Sequence, residues 1–114
     1  MMLALLLTLA DVTGFYASNQ HEVAAAIELE ADGKFAYSLE HGAVSEVAEG
    51  SWTSEGSTIY LTSTRMQGAF KQAAFVREPL AIEGGALLLK RYDIIIRFNR
   101  DDSLPTPPNR NKKL

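Results

Sequence analysis

The chain contains no cysteine. That absence excludes a disulfide framework, a thiolate-ligated zinc site, a cysteine nucleophile and a lipid-modified N-terminal cysteine. Histidine is scarce, with only His21 and His41 in 114 residues, and neither comes with the partners a nucleophilic triad needs. There is no Gly-rich phosphate loop, no G-x-S-x-G elbow, no H-E-x-x-H pair and no calcium loop. These absences point to a non-catalytic protein and imply no metal and no cofactor. Positive charge is not in excess either: 11 Lys and Arg stand against 14 Asp and Glu, a formal net charge of −3. Phosphate binding draws on clustered cations, so nucleic acid is not expected as a partner. No apolar run reaches the roughly 20 residues that a membrane-crossing helix requires, so no integral membrane span is expected.

What is present suits one small domain. A chain of 114 residues has room for a single core, and a hydrophobic share of 46% with 22% charged residues is ordinary for a folded protein. Residues 1–10 are apolar except for Thr8, and the turn-prone Asp11-Val12-Thr13-Gly14 follows at once. Thr8 and Ala10 form a small-residue cleavage site, so the segment reads as a signal peptide, and the protein as exported, periplasmic or secreted. No Lys or Arg precedes the apolar run, and a buried first strand is the alternative reading. Residues 11–100 form the expected domain. Residues 101–114, with Pro105, Pro107, Pro108, Arg110, Lys112 and Lys113, lack periodicity and read as a disordered, Pro-rich, basic tail.

Between these ends the chain is punctuated by turns that close on glycine: Ala31-Asp32-Gly33, Glu40-His41-Gly42, Ser54-Glu55-Gly56 and Glu83-Gly84-Gly85. Glycine reaches positive φ without the cost a side chain meets there, which is what tight hairpins require. The fold class that follows is all-β: a small antiparallel meander of about eight strands forming a barrel or half-barrel. The first hairpin can be set to register, because a slip of one residue would send every side chain to the opposite face. A three-residue loop at Ala31-Asp32-Gly33 pairs Leu29 with Phe35, Ile27 with Tyr37 and Ala25 with Leu39 on one face, and Glu28 with Ala36 on the other. A two-residue loop would set Phe35 against Glu30 and Tyr37 against Glu28, so it is rejected. At the third turn, closure on Glu55-Gly56 sets Trp52 opposite Ile59. Leu80 to Ile82 folds back on Leu87 to Leu89 across Gly84-Gly85. Lys90-Arg91-Tyr92-Asp93 marks a further bend before Ile94, Ile96 and Phe98, which share a face. Residues 72–76 alternate weakly, and one short helical turn is possible over 65–71.

Four groups of residues are candidates for a function. His21 and His41 become diagonal neighbours if Val23 faces His41, about 7–8 Å apart, but a third metal ligand is not identifiable and two polar residues at the sheet rim are the simpler reading. Glu28 and Glu30 alternate outward on one strand and read as solvated charges rather than a catalytic pair. The aromatic set Phe35, Tyr37, Trp52, Tyr60, Phe75 and Tyr92 could line a pocket, with Tyr37, Trp52 and Phe75 as the candidate ligand-binding residues, since a closed sheet of about eight strands has room for side chains and at most one small ligand. A domain of this size also needs its inward rings to fill its own core. If the barrel does not close, the strand edges near Thr13 to Ala17 or Ile94 to Phe98 offer backbone groups to a partner.

The order Gly14-Phe15-Tyr16, Leu29-Glu30-Ala31-Asp32-Gly33, Gly50-Ser51-Trp52 and Ile59-Tyr60-Leu61-Thr62 resembles that of small bacterial lipocalin-like (calycin-like) envelope proteins. It is similar in particular to the N-terminal domain of the copper-resistance envelope lipoproteins, over about half the chain. The lipid anchor and the Cys-x-x-Cys pair of that family are absent here, so its metal and redox roles do not carry over. What the resemblance implies is an antiparallel barrel in the cell envelope. The expectation is therefore a non-catalytic envelope module that binds a protein partner or has a structural role, with a lipocalin-like carrier of a small apolar ligand as the alternative.

Overall fold

A computed structural model describes residues 12–68 and 74–101 of the chain. Eight strands follow one another: β1 (Gly14–Gln20), β2 (Val23–Leu29), β3 (Lys34–His41), β4 (Val44–Glu55), β5 (Thr58–Gly68), β6 (Glu78–Glu83), β7 (Ala86–Arg91) and β8 (Ile94–Arg100). Each pairs antiparallel with the next, and β8 returns to β1 to close a barrel. No helix occurs among the described residues.

The strands follow from alternation. In β3 the odd-numbered Phe35, Tyr37 and Leu39 are buried while Lys34, Ser38 and Glu40 are exposed, the period of two that puts successive side chains on opposite faces. Their partners on β2, Leu29, Ile27 and Ala25, stand opposite in the expected register. Gly33 takes φ +90° and its N–H donates to Glu30 O at 3.0 Å, as a three-residue loop requires. The core is completed by Tyr16, Ile59, Leu61, Leu80, Leu87, Leu89, Ile96 and Phe98 from the other walls.

One register departs from expectation. Trp52 pairs with Leu61 and Ser54 with Ile59, two residues away from the predicted alignment. Gly56, at φ +62°, is the first central residue of a Gly56-Ser57 loop rather than the second of a Glu55-Gly56 loop. A slip of two preserves the faces, so Trp52 still looks inward. The helical turn expected over 65–71 is not formed at 65–68, which belong to β5; opposite Glu49 and Gly50 of β4, β5 passes a bulge at Thr64 and resumes pairing, Arg65 with Glu49. Of the weak alternation at 72–76, residues 74–76 lie in no strand. Glu28 is also not solvated: it lies on the outer face opposite Ala36 and is buried. The expected leader at 1–10 and the tail beyond Asp101 fall outside the described residues.

Closure rests on a short seam. β1 and β8 share two residue pairs, Tyr16 with Arg100 and Ala17 with Asn99, extended by a bond from Asp101 N–H to Phe15 O. Towards the β1–β2 turn the side chain of Gln20 replaces a strand. Its Oε1 accepts from Arg97 N–H at 2.6 Å and its Nε2 donates to Ile95 O at 3.3 Å. At the other end Arg100 donates to Thr13 O and to the Tyr16 hydroxyl, whose own proton goes to Val12 O. The edges that an open barrel would offer at β1 and β8 are thus taken up by each other.

Candidate functional site

The alternation of β4 places Val44, Glu46 and Ala48 on the inner face. A carboxylate in that row is costly unless its lone pairs are met. Glu46 is met completely. Oε2 accepts from the Tyr37 hydroxyl at 2.7 Å and from Arg91 Nε at 2.6 Å, and Oε1 accepts from the Tyr92 hydroxyl at 2.6 Å and from Arg91 Nη2 at 3.2 Å. Four donors thus meet the four lone-pair sites a carboxylate has. The ion pair is well enclosed, with 3% of the Glu46 side chain and 10% of the Arg91 side chain exposed. Since β4 and β7 are not neighbours in the barrel, this pair spans the lumen and ties opposite walls together.

The electrostatics follow from that arrangement. Burial by itself would raise the Glu46 pKa, but the hydrogen bonds from Arg91, Tyr92 and Tyr37 and the Arg91 charge outweigh it, and the carboxyl is held below its ordinary value. Burial, and donation to Glu46, push the Tyr37 hydroxyl well above the usual tyrosine range. The same two causes raise Tyr92 to about 12. Burial works against the Arg91 charge, yet its bonds to Glu46 prevail and its pKa is raised. A saturated carboxylate has no lone pair left to take a substrate proton, and a tyrosine so shifted neither ionises nor attacks near neutrality. The quartet ties β3 and β4 to the end of β7 and the β7–β8 loop.

Tyr92 reaches Glu46 from a strained position. Tyr92 and Asp93 form the β7–β8 loop with φ of +55° and +63°, a conformation in which Asn-Gly is the usual pair. The hydroxyl bond to Glu46 and the Arg91 guanidinium 5.2 Å from the Tyr92 ring hold it there. Strain of this kind persists where surrounding contacts over-determine it.

The three aromatic candidates do not share one wall. Tyr37 and Phe75 pack edge to face at 5.0 Å, and Phe35 approaches Phe75 at 6.2 Å. Trp52 stands apart, half-buried near the β2–β3 turn, its Nε1 donating to Glu30 O at 2.9 Å and its backbone N–H to Gly33 O. Val23 faces His41 as expected; His21 lies in the β1–β2 turn beside Glu22 at 3.6 Å, and His41 Nδ1 is 3.3 Å from Glu22 O. Among the described residues no three metal-ligating side chains form a group. The sequence singles out Tyr37 and, in the wider aromatic set, Tyr92, but not Glu46 or Arg91. The signal was available for Glu46, which shares parity with Val44 and Ala48; its partners on β7 depend on barrel closure.

A second concavity lies outside. An open groove of about 760 Å³ runs over β3, β4 and β5, bordered by Lys34, Ala36, Val47, Glu49, Arg65 and Gln67. The bulge at Glu49/Gly50 lies in it, and Gly50 lets β5 pass so close that a Cβ there would fall 2.1 Å from Thr62 O. Val47 is 48% exposed, and Arg65 pairs with Glu49 at 3.7 Å. Comparison of the chain with protein-family models, with curated proteins and with solved structures yields no match.

Proposed function

We propose that this protein is a non-catalytic binding module of the cell envelope that meets a protein partner on its outer face, along the groove over β3, β4 and β5. The observation that carries this reading is the saturation of Glu46 by four donors. With Phe75 packed beside that network, the lumen at rest is filled by the protein's own side chains, and concave surface remains on the outside. The groove borders carry both signs of charge, Lys34 and Arg65 with Glu30 and Glu49, around an exposed valine. That mixture suits a polypeptide better than a polyanion, which would need a single-sign border. Bulges re-aim side chains at sites of this kind. Export and the lipocalin-like relationship belong to the same proposal and rest on the residue 1–10 pattern and on the motif order.

A photo-crosslinking residue at Val47 in the full chain, expressed in its own cells, tests it. The same probe at Ala24, exposed on β2, serves as the control. One defined protein adduct from position 47, absent from position 24 and lost on adding Arg65→Glu, is the expected result. Equal labelling from both positions, or none from either, refutes the groove.

A further inference from the structure

Phe75 is fully buried, yet it comes from no strand. The β5–β6 ladder covers Thr58 to Leu61 only, and past that point residues 74–77 run beside β5. They are held there by serine and threonine hydroxyls as well as by backbone. Ser63 N–H donates to Phe75 O at 2.8 Å, Phe75 N–H donates to Ser63 Oγ at 3.1 Å, and Arg77 N–H donates to Thr62 Oγ1 at 3.2 Å. The next residue, Val76, is 76% exposed, and Arg77 takes φ +49°. From this strained stretch the Phe75 ring enters the barrel and fills a slot with the Tyr37 ring at 5.0 Å, the Phe35 ring at 6.2 Å and the Arg91 guanidinium 4.8 Å from its centroid.

We propose that Phe75 is an intramolecular occupant of an aromatic-binding slot formed by Phe35, Tyr37 and Arg91, and that a small neutral aromatic molecule takes its place when residues 74–77 swing out. Withdrawal of a strand residue would unmake a ladder. Withdrawal of Phe75 breaks the bonds to Ser63 and Thr62 and the exposed contacts of Arg77 with Glu55 at 3.7 Å and with the Tyr60 ring at 4.1 Å, and interrupts none of the strand ladders. The slot walls define the ligand. A guanidinium facing a ring favours an electron-rich π face, and the edge of Tyr37 completes the enclosure. The Arg91 charge is already committed to Glu46 at 2.6 Å, so a carboxylate would compete with Glu46, and an ammonium would lie beside a guanidinium with no free carboxylate to pair with, since the Glu46 lone pairs are taken. A single ring bearing a hydroxyl, such as phenol, is the matching class. This inference is independent of the outer groove, and its failure leaves the groove standing.

A ligand that competes with an internal ring binds with its intrinsic affinity reduced by the fraction of open molecules. With the open state at about 1–10%, removing the ring should tighten binding about 10- to 100-fold. The test is a phenol titration of the full chain followed by amide NMR and hydrogen exchange. The expected result is saturable shifts at Ser63, Phe75 and Val76, with faster exchange of the Phe75 and Arg77 amides at saturation. Phe75→Ala should bind phenol about 10- to 100-fold more tightly, and cyclohexanol should bind neither protein comparably. If Phe75→Ala does not fold, Phe75→Leu, which keeps bulk but not the ring, takes its place, and the wild-type exchange data decide. A wild-type chain without saturable shifts overturns the proposal even if the alanine variant binds, because the variant's cavity is then only an artefact of truncation. Saturation by cyclohexanol at the same residues overturns it as well.

Discussion

Glu46 concentrates the energetics of the barrel in one side chain. Breaking a buried, fully bonded ion pair by removing one partner typically costs about 3–5 kcal/mol, whereas replacing both partners with apolar groups is often neutral. Glu46→Gln is therefore expected to lower the urea-unfolding free energy by about 3–5 kcal/mol, and Glu46→Leu combined with Arg91→Met should be less destabilising than either single change. If the double variant is worse than both, the pair contributes more than it costs to desolvate. The same group sets the pH profile. The Glu46 pKa lies below its unfolded value, so its contribution is complete above about pH 4.3, the unfolded glutamate value, and is lost as pH falls through the folded value. Tyr92 is raised to about 12. Its contribution is complete below about pH 10 and lost as pH rises towards the folded value. Thermal melts should thus decline at both extremes; Tyr92→Phe should reduce the alkaline decline, leaving the share that Tyr37 contributes, and should move the acid decline to higher pH, because Glu46 loses one of the donors that hold its pKa down. At this scale the sequence was partly legible. Alternation marked Tyr37 as inward, and the same parity reaches Glu46. Arg91 sat in a stretch whose polar character suggested only a bend, and Tyr92, in the same stretch, stood out only as one of the wider aromatic set. The β7–β8 loop indeed falls there, and it is Tyr92 itself that occupies a positive-φ position.

Between elements, two devices hold the walls in place. Gln20 acts as a strand substitute on β8. With two backbone partners lost, Gln20→Ala should cost about 1–3 kcal/mol, and its signature should be local: faster hydrogen exchange at Arg97 N–H, with the β2–β3 amides unchanged. Gly50 lets β4 and β5 cross closely at the bulge. A methyl group there would meet Thr62 O and Ser63 Cα, both backbone atoms within 2.7 Å. Backbone cannot rotate aside as a side chain can, so Gly50→Ala should destabilise by at least about 1–3 kcal/mol, read by denaturant unfolding, whereas Gly68→Ala meets chiefly Glu46 Cβ and tests the lumen side. The β2–β3 hairpin was readable because two turn lengths could be compared and one of them buried carboxylates. The β4–β5 hairpin slipped by two residues because either placement of Gly56 keeps the same faces, so hydrophobic pattern alone cannot choose between them. The continuation of β5 through 65–68 was hidden by the bulge, which interrupts a period of two.

For the whole molecule, the decisive event is closure. An eight-strand meander follows from turn spacing and alternation, but whether its ends meet rests on two ladder pairs and the side chains of Gln20 and Arg100, and no local pattern announces such a seam. Closure removes the strand edges through which an open sheet would recruit a partner. It also brings β4 and β7 within reach of each other across the lumen, which is how Glu46 and Arg91 meet. The resting interior is occupied by Phe75, Tyr37, Arg91 and Glu46, and the outer groove, the proposed binding face, stays open to solvent. The most direct test of that division is a high-resolution crystal structure of the chain purified from its own cells, read for density in the lumen. The account predicts that the Phe75 ring lies against Arg91, with all four donors on Glu46 and no co-purified molecule inside the barrel. A bound organic molecule between Tyr37 and Arg91, with Phe75 displaced in the protein as purified, would contradict it and make the interior the working site.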